Sequence, residues 1–436
     1  MPGSGEALLW SFLSALFLSH IFIAPGVAVA DLLLAASALG VAVAAFRLRQ
    51  APSWPRWATS LAMFWAWAIL GGVLRSMRTP FGFSKLEFAK SFAKLTFYGI
   101  VAVLVAWGVK RAAPERLREV LLTLLAVNAG LAILLYAAML IWPQLPYDRF
   151  LPGTLPSAYY FEQLWFGDRP PGSLEPPVFL RARGLSSEPS HLGYIQAMGL
   201  GFLLLGRRDP PRLGLRLALV VLSILLTFSL TAYALLATVL LLASPRLVTG
   251  FRRRPRAVLL AGTLLGVVLL LPPVAQTLYH SIVVRATRLL EGKVDVSARL
   301  RLVESWAMAF RMARDSPVVG TGLGNFETGL AAVREDLPGR ELLGRETQGW
   351  NVLAHVLAVT GSVGLLLFLL FLVHLVPRGP ALAALFFLGC MVQGSFLAAP
   401  FWVCWVVYLD PCGGESSSNH SRAQAWQAGD EVPRGA

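Results

Sequence analysis

Ten apolar runs of about membrane-crossing length alternate along this chain with short breaks crowded with arginine. They cover residues 7–23, 27–46, 57–74, 88–109, 120–142, 192–206, 217–243, 258–275, 351–376 and 381–409. A span needs about 20 mostly apolar residues, and a chain that repeats such runs must satisfy its backbone within helices when it enters lipid. Only 14% of the 436 residues are charged and 56% are hydrophobic, against roughly 25% charged in a soluble domain. The expected fold is an all-α polytopic membrane protein.

The net charge of +14 does not point to nucleic acid, because the basic residues form no continuous polar face. They gather in breaks between runs, where a positive-inside bias puts them. The breaks hold Arg47, Arg49 and Arg56; Lys110, Arg111, Arg116 and Arg118; Arg207, Arg208, Arg212 and Arg216; and Arg246, Arg252, Arg253, Arg254 and Arg256. With the N-terminus cytoplasmic, the first three fall inside by alternation. The fourth does so only if the run 217–243, interrupted by Thr227-Phe-Ser-Leu-Thr231, goes in and returns to the same side. The run 381–409, broken at Gly394-Ser395 and Pro400, is either one tilted span or two short ones. The count is then about 11–12 membrane segments.

This divides the chain into N-terminal transmembrane helices (1–142), a first outer loop (143–190) and central helices (191–275). A large outer loop (276–350), C-terminal helices (351–409) and a polar tail expected to be disordered (410–436) follow. The opening segment has no basic n-region, so its first apolar run is expected to be a retained helix. Cys390, Cys404 and Cys412 lack Cys/His partners at zinc-ligand spacing, so neither a metal site nor a disulfide framework is expected. Membrane lipids are the expected surroundings.

Two loop passages carry chemistry. Residues 179–190 read Phe-Leu-Arg-Ala-Arg-Gly-Leu-Ser-Ser-Glu-Pro-Ser at the mouth of a span. Arg181, Arg183 and Glu188 each cost several kcal/mol if left bare at a hydrocarbon boundary, while guanidinium forks match phosphate oxygens. Their plainer role is to anchor the helix at the interface, with Glu188 pairing with Arg183 or capping the helix. The second passage, residues 296–314, has helical apolar spacing and leads into Pro317-Val-Val-Gly-Thr-Gly-Leu-Gly-Asn-Phe326. Its apolar face is expected to be Leu302, Val303, Trp306 and Phe310, which turns Arg299 inward and leaves Arg301 at the surface beside Glu304.

Other residues have competing readings. Gly320, Gly322 and Gly324 suit turns with positive φ, with a phosphate nest as the sharper alternative. His355 is a candidate base or a satisfied core histidine, and His191 a more distant candidate base without a supporting pattern. Asp31 reads as a functional carboxylate or a helix cap. Lys90 and Lys94 either touch lipid phosphate or snorkel, and Trp402 reads as part of an interface belt.

Three passages resemble the O-antigen ligase/polymerase family, the Wzy/WaaL-type integral-membrane glycosyltransferases. Arg181-Ala-Arg-Gly-Leu-Ser-Ser-Glu-Pro-Ser190 is similar to its Arg-x-x-Gly…Pro-Asn/Ser motif before a membrane helix. Ser297-Ala-Arg-Leu-Arg301 with Ala309 to Phe326 resembles its outer-loop arginine motif and Pro-x-x-Gly-x-Gly-x-Gly turn. Asn351 to Phe368 resembles the His-Asn…Thr-Gly-x-x-Gly start of the next helix, except that Trp350 stands at the family histidine's position.

The resemblance implies a GT-C-like fold in the bacterial cytoplasmic membrane. It implies transfer of glycan from an undecaprenyl-diphosphate-linked donor to a glycan or lipid acceptor at the outer face, with no metal or cofactor. Arg181, Arg183, Arg299 and Arg301 are then the candidate diphosphate contacts. Arg181, Arg299, Glu188 and His355 are the candidate catalytic residues, with Arg299 preferred over Arg301. A lipid-linked-glycan flippase and a non-catalytic assembly protein are the competing classes.

The orientation is checked by single cysteines in a background lacking the native three. Gly167→Cys and Gly339→Cys should label with an impermeant reagent, and Arg208→Cys and Arg253→Cys should not. Labelling of Arg208→Cys and Arg253→Cys from opposite sides would mean that residues 217–243 cross once.

Overall fold

The computed structural model describes residues 2–19, 21–24, 27–47, 54–78, 83–109, 114–141, 181–206 other than 183 and 187, 214–253, 300–333, 351–392 and 395–409, with a few isolated positions besides. The loop 143–180, most of the run 258–275, Arg183, Arg299, Trp350 and the tail 410–436 lie outside the described residues.

The helices, numbered along the described residues, are α1 (Pro2–Ser14), α2 (Val29–Arg47), α3 (Arg56–Arg78), α4 (Lys85–Val109) and α5 (Pro114–Ile141). After them come α6 (Pro189–Leu205), α7 (Gly214–Leu225), α8 (Leu230–Arg253), α9 (Ser305–Arg314) and α10 (Phe326–Val333). The last are α11 (Val352–Val373), α12 (Pro380–Val392) and α13 (Ala399–Tyr408). A two-stranded ribbon, β1 (Phe22–Ala24) and β2 (Val27–Ala28), precedes α2, pairing Phe22 with Ala28 and Ala24 with Val27. Helices α2, α3, α4, α5 and α11 hold segments long and apolar enough to cross a membrane. Leu39, Phe46, Met77, Val127 and Leu134 on α2, α3 and α5 are exposed. Contiguous apolar surface of this kind belongs against lipid rather than water. The protein is an all-α polytopic membrane protein.

Helix α6 is the centre of the bundle. From Leu192 to Leu205 every residue is buried, as befits a helix apolar all round. Its two ends differ from its middle by being charged. At its C-terminal end Arg118 donates to the Leu203 carbonyl at 3.0 Å, while Arg116 pairs with Glu6 and Arg216 with Glu119. At its N-terminal end stand Arg181, Glu188 and Ser190. Seventeen residues separate the ends, about 25 Å at 1.5 Å per residue.

The run 217–243 folds as the expected helix pair. Thr227 and Phe228 form the break, with Phe228 at φ 46°. Helix α7 leaves the Arg216 end, the break sits at the Arg181 end, and α8 returns beside α6, its Ala232 against Gly193 and its Val239 against Gly201. The second wall is aromatic. Phe64 of α3 meets Phe368 of α11 at 5.2 Å, and Phe371 meets Trp405 of α13 at 3.9 Å. Trp402 belongs to this core rather than to an interface belt. It is buried, stacks with Tyr98 and donates to the Phe396 carbonyl at 2.7 Å.

The glycine passage explains how α11 bends. Gly361 has φ 71° inside α11 and breaks its hydrogen-bond ladder. The released carbonyls are met from outside the helix: Ala358 by the Thr321 N–H at 2.9 Å, Val359 by the Gly322 N–H at 2.9 Å and Thr360 by Trp67 Nε1 at 3.0 Å. The Ser362 N–H returns a bond to the Pro317 carbonyl at 2.8 Å. Gly320, Gly322 and Gly324 all have positive φ, as the turn reading requires. Gly320 and Gly361 also face each other's backbone so closely that a Cβ on Gly361 would stand 2.3 Å from Val318. The Thr321 and Gly322 N–H groups are spent on the helix kink and that of Gly320 on the Ser316 carbonyl, which argues against a phosphate nest.

Asp31 acts as a structural cap, accepting from the Ala28 N–H at 2.9 Å and the Tyr98 hydroxyl at 2.7 Å. Lys90 pairs with Glu87 at 2.8 Å on an exposed face, and Lys94 is half-buried on the same helix.

Gly361→Ala and Gly320→Ala should each lower stability by about 2 kcal/mol or more, the cost of a β-carbon at positive φ without room for it. Thermal unfolding of the purified protein in detergent measures this. Neutral behaviour of both would mean that the clasp is not a constraint on α11.

Candidate functional site

The Arg-x-x-Gly passage lies in the angle between α5, α6 and the α7–α8 break. Breaking a helix frees carbonyls, and this passage answers two of them. Ala182 N–H donates to the Leu226 carbonyl at 2.8 Å, and Arg181 Nε donates to the Thr227 carbonyl at 2.7 Å. The second bond fixes the plane of the guanidinium. Gly184, at φ 54°, then turns the chain toward α6.

Glu188 occupies the N-cap position of α6, but its side chain makes no capping bond. Instead it accepts from Ser190 Oγ at 3.0 Å. The capping role expected as its plainer alternative is thus not the one the carboxylate has. Partial burial alone would raise its pKa, but His191, then Arg301, the Ser190 hydroxyl and Arg181 outweigh this and hold it below the ordinary value of 4.5. Glu188 therefore stays ionised at neutral pH.

Arg301 enters from the other loop. Residues Leu300–Glu304 form a π-helical turn that runs into α9. The burial of this element corrects the expected helix face. Val303 is 58% and Phe310 62% exposed, whereas Glu304, Ser305, Met308, Ala309 and Met312 are buried. Arg301 precedes Glu304, Ser305 and Met308 by three, four and seven positions, so it shares the buried face. The surface pairing expected for it does not fit, since Glu304 is itself buried. Apolar spacing alone does not say which side of this short helix is covered, and here Val303 and Phe310 are left outside. Arg301 brings its guanidinium to 3.5 Å from Ser190 Oγ, and its backbone carbonyl lies 3.4 Å from Asn351 Nδ2. Asn351 in turn caps α11, accepting from Leu353 and Ala354 N–H at 2.9 and 3.2 Å.

Arg181, Glu188, Ser190, His191 and Arg301 thus form one cluster from two distant loops. From sequence His191 is only a distant candidate base and Ser190 only the end of a motif, since a histidine and a serine at a helix start have no distinguishing local pattern. His355 is set apart, buried between the rings of Phe326 at 5.1 Å and Phe396 at 5.4 Å. Arg183 and Arg299 lie outside the described residues.

Residues 215–369 match the O-antigen ligase family. The match supports assignment of the chain to the O-antigen ligase/polymerase family. No curated protein matches the chain. The matched stretch holds the α7–α8 break, Arg301, the glycine clasp, Asn351 and His355, while Arg181 to Ser190 lie ahead of it. The O-antigen ligase assignment supports a membrane ligase/polymerase function in polysaccharide biosynthesis in general, with a lipid-linked glycan donor and a glycan acceptor.

Because the folded pKa of Glu188 is depressed, its contribution to stability is present above pH 4.5 and is lost as pH falls through the lower folded value. Glu188→Gln should flatten the stability of the protein against pH in that acid window and leave the profile above pH 6 parallel to wild type. Thermal unfolding across pH 3–7 tests this, and an unchanged acid limb in Glu188→Gln would place the titrating group elsewhere.

Proposed function

We propose that this protein transfers glycan from an undecaprenyl-diphosphate-linked donor at the outer face of the bacterial cytoplasmic membrane, with Arg181 and Arg301 as the diphosphate contacts. The observation that carries the reading is the meeting of these two arginines, from separate loops, around Glu188 and Ser190 at the N-terminal end of α6. Breaking the bond between sugar and diphosphate leaves the electron pair on a phosphate oxygen. Guanidinium groups held in place before the reaction stabilise that charge without reorganisation.

An acceptor hydroxyl oxygen attacks the anomeric carbon as that bond breaks, and its proton goes to Glu188. The carboxylate is ionised and ready, although its lowered pKa makes it a weak base. His191, next to it, is the nearest group able to share the proton. Whether the acceptor is a lipid-bound core or a growing chain decides between ligase and polymerase.

Arg301 is the second contact that the geometry supports, because it reaches the cluster and is tied to the cap of α11 through Asn351, while Arg299 lies outside the described residues. Arg181→Ala and Arg301→Ala should each lower transfer by at least a hundredfold while the protein still inserts and purifies normally. Arg181→Lys should recover only part, since lysine offers a point charge and no fork. Glu188→Gln should lower the rate of transfer by about 10²-fold or more, the scale of general-base catalysis, with donor affinity nearly unchanged. Transfer assays on purified protein with a lipid-diphosphate glycan decide the matter, and full activity of Arg181→Ala would end the reading.

A further inference from the structure

Beneath the Arg-x-x-Gly turn, two carboxamides are buried in the bundle with polar atoms that no described group satisfies. Asn128 lies within the apolar span of α5 and is 3% exposed, and neither its Oδ1 nor its Nδ2 has a hydrogen-bond partner. Gln196 on α6 is fully buried. Its Nε2 donates to the Leu125 carbonyl of α5 at 3.2 Å, and its Oε1 has no partner. Leu125 is one turn from Asn128, so both carboxamides lie on the same α5–α6 seam.

Buried polar groups are nearly always hydrogen-bonded, and each orphan costs on the order of 1–3 kcal/mol. In an apolar span the cost is not relieved by water from outside. Three orphaned atoms on one seam therefore call for a polar occupant.

The position says which occupant. A Cβ on Gly184 would stand 3.1 Å from Asn128 Oδ1 and 3.2 Å from the Ala132 methyl. The glycine of the Arg-x-x-Gly turn thus sits directly over the Asn128 carboxamide, with nothing larger than hydrogen between them. Arg181, at the start of the same turn, belongs to the charged cluster. At this end the described residues of the seam offer amide donors and acceptors, and the Arg118 charge stands at its other end, against Leu203.

We propose that Asn128 and Gln196 form a neutral hydrogen-bonding subsite for a sugar, taking its hydroxyl or acetamido groups beside the Gly184 turn. This rests on the diphosphate reading of the cluster, and assigns the glycan end of a substrate to a place beside it. Carboxamides suit such a ligand because they donate and accept at once and demand no counter-charge.

The test uses the full-length protein in nanodiscs with two probes, undecaprenyl diphosphate and undecaprenyl diphosphate carrying one N-acetylglucosamine, a sugar that presents both hydroxyls and an acetamido group. Wild type should bind the sugar-bearing lipid about tenfold more tightly, which is about 1.4 kcal/mol. Asn128→Leu, close in volume, should erase that preference and leave the affinity for the bare lipid unchanged. Gln196→Leu should act in the same direction and serves as the second variant.

If the sugar is the acceptor's, Asn128→Leu will leave both lipids alone and instead weaken a soluble N-acetylglucosamine trisaccharide by about tenfold. A wild-type preference that survives Asn128→Leu while trisaccharide binding is also unchanged overturns the proposal. So does a wild type that neither prefers the sugar-bearing lipid nor binds the trisaccharide, or an equal loss of both lipids in the variant. Failure of the diphosphate reading shows separately, as wild-type binding of the bare lipid that Arg181→Ala does not reduce.

Discussion

Carbonyl groups released where a helix breaks have no water to turn to inside an apolar bundle, and among the described residues two such breaks are met from elsewhere in the chain. Each unmet carbonyl would cost on the order of 1–3 kcal/mol. The break between α7 and α8 is met by the Arg181 guanidinium and the Ala182 N–H. The kink of α11 at Gly361 is met by Thr321, Gly322 and Trp67. Apart from Trp67 of α3, both answers come from loops outside the broken helices. The two breaks therefore dock the loops onto the bundle, and the loops bring the charged groups with them.

The consequence is a cluster whose members are held by different means. Arg181 is held by the carbonyl it satisfies, and Arg301 by the link from its backbone through Asn351 to the start of α11. Glu188 stands at the N-terminus of a deeply buried helix, where it accepts from Ser190 instead of capping. Such a cluster is pre-organised by backbone contacts more than by ion pairing. That suits electrostatic stabilisation of a leaving group, which depends on dipoles and charges already in place.

The parts of the site that were legible in sequence are those with local signatures. Arg181 and Glu188 stand out because charge before an apolar run has few uses. The positive φ of Gly320, Gly322 and Gly324 follows from their spacing, and the interrupted run 217–243 could be read as a pair from the side on which its basic flanks must lie. Spacing is a weaker guide in the second loop. Val303, Trp306 and Phe310 fit one apolar face by spacing, yet Trp306 packs against the core while Val303 and Phe310 are exposed. The π-helical turn at Leu300–Glu304 shifts the register there, which spacing does not encode. Trp402 was misplaced for a related reason, since an aromatic residue near the end of a run serves equally at an interface or in a core.

By itself, the sequence determined that this is a polytopic helical protein with charged loops. Hydrophobic length and arginine clustering are properties of the chain that lipid reads directly. It also determined where the helices could not continue, because glycine spacing and polar interruptions act locally. Only the tertiary structure decided which loop answers which break, and so which arginine meets Glu188. Those choices depend on contacts between residues from tens to more than a hundred positions apart, such as Arg181 with Thr227 and Arg301 with Ser190. No local propensity encodes a partner at that distance. Packing selects it, by leaving each freed carbonyl within reach of one donor.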